Sequence, residues 1–222
     1  MKKILLFVFA AGLFASSCSK KDKTPPNSAA VTFVNGCAGT KIDAKVNGAN
    51  VQNAQAINFQ KASPYVYVTA GNNINVAYYI TDLGTPLINR STNFAVNGHY
   101  SVFAGGLVTT PFMLFTTDDF SSPATNSSKV RFVNLSPDSL SFDVAVGSTK
   151  VASGVSVADA SGFTPVIAGT YEIKAGQPNN ISSFISGGQQ QFAAGKIYTI
   201  ILTGTQSGTG VSALKLTLLT NN

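Results

Sequence analysis

At 222 residues the chain can hold one large domain or two small ones, and with 44% hydrophobic and 11% charged residues it is too apolar to be disordered. Val, Ile, Thr, Phe and Tyr are plentiful while Glu occurs once, at Glu172, which argues against long helices and for pleated, half-buried strands. The net charge of +6 does not make a nucleic-acid binder: Lys2, Lys3, Lys20, Lys21 and Lys23 crowd the N-terminus, and the remainder is nearly neutral, without the basic stripe that phosphate binding needs.

Met1-Lys2-Lys3 is a short positive segment, and the apolar run from Ile4 to Phe14 is too brief for a bilayer, which takes about 20 residues. Followed by Ala15-Ser16-Ser17, it reads as a cleaved secretory signal over 1–17. Ala15-Ser16-Ser17-Cys18 resembles the lipobox of bacterial lipoproteins, with Ala15 where Leu is commonest. The resemblance implies that Cys18 is acylated, as a palmitate-bearing diacylglycerol cysteine, and that the membrane is a partner through this anchor. Two or more acyl chains hold a protein durably. Residues 18–28, polar and containing Pro25-Pro26, form a tether that cannot build a core. The expected location is the cell envelope, lipid-anchored at the outer membrane, on its periplasmic face or at the cell surface.

A first β-domain is expected over 29–120. Cys37, in Gly36-Cys37-Ala38-Gly39, sits in a predicted loop: a lone Cys is more often a small buried residue than a nucleophile, and the loop position leaves partial exposure open. Asp43, flanked by apolar strand residues, suits either a ligand contact or a carboxylate accepting backbone N–H bonds. Tyr65, Tyr67, Tyr78 and Tyr79 crowd one hairpin region and are candidate ligand-binding aromatics, able to stack on a sugar or a protein partner. His99 is the sole histidine, and a lone imidazole neither builds a His-rich zinc site nor, without a nucleophile elbow, a recognisable triad. Asp118-Asp119 could offer oxygen ligands to Ca²⁺, but adjacent acids at a domain end are usually just solvated.

Residues 121–128, all small or turn-forming, are the expected linker to a second domain over 129–222. That second domain repeats the first. Val31-Thr32-Phe33-Val34-Asn35 recurs as Val130-Arg131-Phe132-Val133-Asn134, a shift of 99; Ile42-Asp43, Val46 and Val51 recur at a shift of 100; Phe94-Ala95 and Tyr100 recur at a shift of 98. Strands are predicted near 129–135, 141–147, 150–156, 163–167, 170–175, 181–193, 197–204 and 212–219. Tyr198, Ile200 and Leu202 alternate with Thr199 and Thr203, as in a strand with one face inward. Short strands at this density predict an all-β chain of two tandem, antiparallel, immunoglobulin-like sandwiches. Asp138-Ser139-Leu140 resembles a three-residue O-glycosylation site of Bacteroidetes-type bacteria, which makes Ser139 a candidate glycan acceptor.

Val130 to Asp138, with Phe142-Asp143-Val144, Ala168-Gly169-Thr170-Tyr171 and Ala194-Gly195-Lys196-Ile197-Tyr198-Thr199, resembles the bacterial domain of unknown function 4397 family. The first copy keeps the frame but has Gly36-Cys37-Ala38 in place of the Ser-Pro-Asp turn. The resemblance implies a surface or secreted β-sandwich, often repeated, and brings no catalytic residues. No catalytic residues, metal or cofactor are therefore expected. The expected role is a non-enzymatic structural, adhesive or partner-binding envelope module; the alternative is a carbohydrate- or peptide-binding accessory lipoprotein of an outer-membrane uptake system. Its partner beyond the membrane would be a glycan or an envelope protein.

Overall fold

The computed structural model describes residues 24–178 and 184–221; Cys18 and its leader lie outside them. The first copy contains β1 (Ser28–Asn35), β2 (Ile42–Val46), β3 (Ala49–Asn50), β4 (Lys61–Ala62), β5 (Val66–Thr69), β6 (Gly71–Ile80), β7 (Thr85–Phe94), β8 (His99–Leu107) and β9 (Thr110–Thr117). The second contains β10 (Ser127–Asn134), β11 (Phe142–Val146), β12 (Thr149–Val155), β13 (Asp159–Ala160), β14 (Thr164–Ile167), β15 (Gly169–Gly176), β16 (Phe184–Phe192), β17 (Ile197–Thr203) and β18 (Lys215–Thr220). These match the strands expected of the second copy, with residues 181–183 of the expected strand 181–193 lying outside the described residues, and add the short β13.

Each copy is a two-sheet sandwich. In the first, a sheet ordered β4-β1-β8-β9, with β5 also pairing β1, faces a sheet ordered β3-β2-β6-β7. In the second, β13-β10-β17-β18, with β14 pairing β10, faces β12-β11-β15-β16. Pairing is antiparallel except that β1 runs parallel to β8 and β10 to β17. Those partners are far apart in sequence, so no hairpin dictates their direction. Asn47-Gly48, at φ 48° and 81°, forms the left-handed two-residue turn that a β2-to-β3 hairpin requires.

The recurring residues are structural fasteners. Asn35 is fully buried; its amide donates to the Thr40 and Ile57 carbonyls and its Oδ1 accepts from Cys37 N. Asn134 does the same toward Leu140, Val155 and Ser136. The Tyr100 hydroxyl accepts from Ala95 N at 2.9 Å and that of Tyr198 from Ala193 N at 3.0 Å, a tyrosine corner in each copy. Asp43 Oδ1 accepts from Ala56 N and Asp143 Oδ1 from Gly154 N, so the repeated aspartate holds backbone rather than ligand.

Val31, Phe33, Ile42, Val76, Tyr78 and Val102 belong to one core, and Phe132, Val144, Ile173, Phe192 and Ile200 to another. A third apolar cluster joins Val34 and Phe103 to Val133, Leu135 and Ile201. It is built from the outer faces of the β1-β8 and β10-β17 sheets, so the two sandwiches pack face to face as four layers. This corrects the one-sided reading of β17: Thr199 and Thr203, on its non-core face, are 1% and 0% exposed because the first copy covers them. Equivalent residues meet across the contact, and the fit depends on differences between them. Gly36, counterpart of Leu135, leaves room for it: a Cβ there would lie 2.6 Å from Leu135 Cδ1.

Candidate ligand groove and the network behind it

The four candidate tyrosines do not form one patch. β5, which carries Tyr67 and follows Tyr65, and β6, which carries Tyr78 and Tyr79, lie in different sheets, so there is no hairpin to gather them. Tyr78 is fully buried in the first core, edge-on to Phe33, with its hydroxyl donating to Val102 O at 2.7 Å. Burial raises its pKa well above that of a free phenol, and it is unavailable to a ligand. Tyr79 lies beneath Lys45, whose Nζ is 4.0 Å from the ring centroid. Tyr65 and Tyr67, two apart along the same edge, remain together.

These two line a groove of about 450 Å³ on the flank of the first sandwich. Tyr65 and Tyr67 stand on the β5 side; Asn50, Gln52 and Asn53 form the opposite wall; Val51, Val66 and Val68 supply its apolar lining. None of its lining residues is charged. Tyr67 is half exposed and its hydroxyl is 3.2 Å from Thr24 Oγ1, which places Thr24 beside the groove.

A two-residue insertion opens this flank. Val51 and Val151 are equivalent buried residues, and the exposed Ala56 and Gly154 are equivalent in that each donates its N–H to the repeated aspartate. Five residue steps separate Val51 from Ala56 in the first copy, and three separate Val151 from Gly154 in the second. Omitting Gln52-Asn53 brings Ala54 onto Ala152, both buried. The extra pair therefore projects as the groove wall, with Asn53 at φ 63°, which Asn tolerates. In the second copy β12 runs on to Val155, and Thr164 Oγ1 ties β14 to the Val151 carbonyl. In the first copy the Val51 carbonyl instead accepts from Ala54 N and Gln55 Nε2.

Tyr65 is held from behind. Its hydroxyl donates to Asp118 Oδ2 at 2.5 Å and accepts from Asn221 Nδ2 at 3.1 Å, and its ring is edge-on to Phe120. Burial, and secondarily the Asp118 charge, raise its pKa, so it stays a donor. Asp118 forms a salt bridge with Arg131 at 2.7 Å, and the two side chains are 1% and 2% exposed. Arg131 also donates to Ser101, Thr116 and Thr199 and lies over the rings of Phe163 and Phe103. One wall of the groove is thus positioned by an ion pair between the copies.

The remaining candidates are structural. Asp118 is saturated by this network, and Asp119 pairs with Lys129 at 2.6 Å, which together with Ser121 lowers its pKa. Among the described residues no three metal-ligating side chains converge. His99 stacks on Phe120 at 4.7 Å. Ser139 is 5% exposed with its hydroxyl donated to Asn134 Oδ1, which corrects its reading as a glycan acceptor: the folded chain hides it.

Cys37 is fully buried, the first of the two alternatives its loop position left open, and burial pushes its thiol up to about 12. Its Sγ donates to Gly105 O. Thiol-reagent labelling at pH 8 is expected to be roughly a hundredfold slower or more in the native protein than in denaturant. Because the folded thiol titrates above its unfolded value of about 8.5, its contribution to stability is full below that value and is lost as pH rises toward the folded one.

Two segments, residues 29–145 and 128–222, match the family described as Domain of unknown function (DUF4397). The chain belongs to that family. Its two DUF4397 copies share the fasteners described above and differ at the groove. No curated protein matches the chain. Among solved structures it is similar to a family 26 carbohydrate-binding module from Eubacterium rectale Amy13K in complex with maltoheptaose, at 6% identity, covering 88% of this chain and 97% of that one. The TM-score is 0.26, too low to carry an argument about ligand. Sequence reasoning missed Arg131, Asn221 and the Gln52-Asn53 wall of the first DUF4397 copy. The signal for the wall was present, as the change of repeat offset from 100 to 98.

Proposed function

We propose that the protein is a non-catalytic binding module of the cell envelope, acylated at Cys18, whose first DUF4397 copy takes an uncharged ligand in its flank groove. The observation that carries this reading is the Gln52-Asn53 insertion, which raises a polar wall opposite Tyr65 and Tyr67 where the second copy is bridged by a hydrogen bond. A paired sandwich serving only as a spacer has no use for a difference placed at that one flank. The second copy acts as the support that fixes Tyr65 through Arg131 and Asp118.

The anchor and the groove are tested together on the full-length protein. Metabolic palmitate labelling is expected to disappear in Cys18→Ser; label that persists removes the anchor. Immobilised protein should retain a component of envelope polysaccharide or protein fractions, and Tyr67→Ala should release it. Equal retention by the variant would remove the groove from the function.

A further inference from the structure

We infer that the groove ligand is a neutral oligosaccharide, an inference that rests on the binding-module reading above and narrows it. The first reason is the kind of polar group present. Asn50, Gln52 and Asn53 each carry a carbonyl and an amino group on one side chain, so each accepts and donates at once. Adjacent sugar hydroxyls also donate and accept, and they satisfy such amides in pairs. A phosphate or carboxylate ligand would call for Lys, Arg or a cluster of backbone N–H groups, and none of the lining residues is charged.

The second reason is the aromatic side. Tyr67 is 50% exposed on the same groove, an apolar ring with a polar tip. Such a ring covers the C–H face of a pyranose while its hydroxyl stays hydrogen-bonded. Tyr65 beside it is locked by Asp118 and Asn221, so that wall needs no reordering when a ligand arrives.

The third reason disfavours an extended peptide. Strand addition would use the free edge of β5, which has four residues and is preceded by Tyr65 and Pro64. Proline supplies no N–H to a further partner, and an edge this short offers few ladder bonds. The ladder of β1 is already completed there by Ser63, whose hydroxyl accepts from Phe33 N at 3.0 Å.

The test uses the full-length protein in detergent and isotope labelling that resolves the side-chain amides of Asn50, Gln52 and Asn53. One arm titrates uncharged gluco-, manno- and galacto-oligosaccharides of several residues; the other titrates uncharged extended peptides. Saturable shifts of these amides with at least one oligosaccharide are expected, unchanged by added salt because no charge lines the site. Tyr67→Ala should weaken binding about tenfold or more, the amount expected when a stacking ring is lost. Deleting Gln52-Asn53 should abolish binding while thermal unfolding stays cooperative. Shifts with peptides but no oligosaccharide would overturn the ligand class and leave the groove reading standing. No shift in either arm would overturn both. Oligosaccharide shifts elsewhere, with the groove amides unmoved, would overturn the site.

Discussion

Arg131→Ala is expected to lower the free energy of unfolding by about 3–5 kcal/mol, the effect of leaving a buried carboxylate without its partner. Asp118 is 1% exposed in its side chain and has no route to water in which to recover solvation. Tyr65 and Ser101 would still donate to it, at 2.5 and 2.7 Å, but neither carries compensating charge. The double variant Arg131→Met/Asp118→Leu should recover part of the loss, since an apolar pair of similar volume removes the uncompensated charge. Recovery should be incomplete because Thr116, Thr199 and Tyr65 then lose partners. Urea unfolding of the two single variants and the double gives the coupling energy directly. A loss below about 1 kcal/mol in Arg131→Ala would mean that the pair is solvated and the copies are not closed on each other.

The second large effect is expected from Phe103→Ala. Phe103 is fully buried although it points away from the first core, into the cluster with Val34, Val133, Leu135 and Ile201. Removing a buried phenyl ring costs about 3–5 kcal/mol through lost transfer energy and the cavity left behind. Here it also removes the ring over which Arg131 lies, at 5.7 Å. Calorimetry should then show two transitions, one for each sandwich, where the parent protein shows one. Phe132→Ala provides the contrast: it empties the second core and should lower that sandwich's transition without separating the copies as cleanly. If Phe103→Ala unfolds like the parent, the face-to-face packing does not persist in solution.

Both predictions concern residues at which the two DUF4397 copies differ. Arg131 replaces Thr32, Asn221 replaces Asp118, and Leu135 fills the space left by Gly36. A perfectly repeated pair would place two arginines or two leucines against each other, and like charges or overpacked side chains would separate the faces. Divergence at these positions makes the contact complementary, so the second copy braces Tyr65 and Asp118 of the first.

Strand identity, the all-β class and the twofold repeat were legible in the chain because they rest on local chemistry. Period-two alternation, turn residues and β-branched composition act within a few residues. The repeated Asn35/Asn134 and Tyr100/Tyr198 fasteners could be seen as matches, though their hydrogen bonds could not. What tertiary structure alone decided is the destination of each strand's second face. Alternation separates one face of β17 from the other but does not say whether Thr199 and Ile201 meet water or another sandwich, and both are buried. It also separated the four tyrosines, since residues close in sequence on β5 and β6 belong to opposing sheets. A local pattern records which side a residue faces; which surface comes to cover that side depends on contacts between residues far apart in the chain, such as Tyr65 with Asn221 and Gln60 with Thr203.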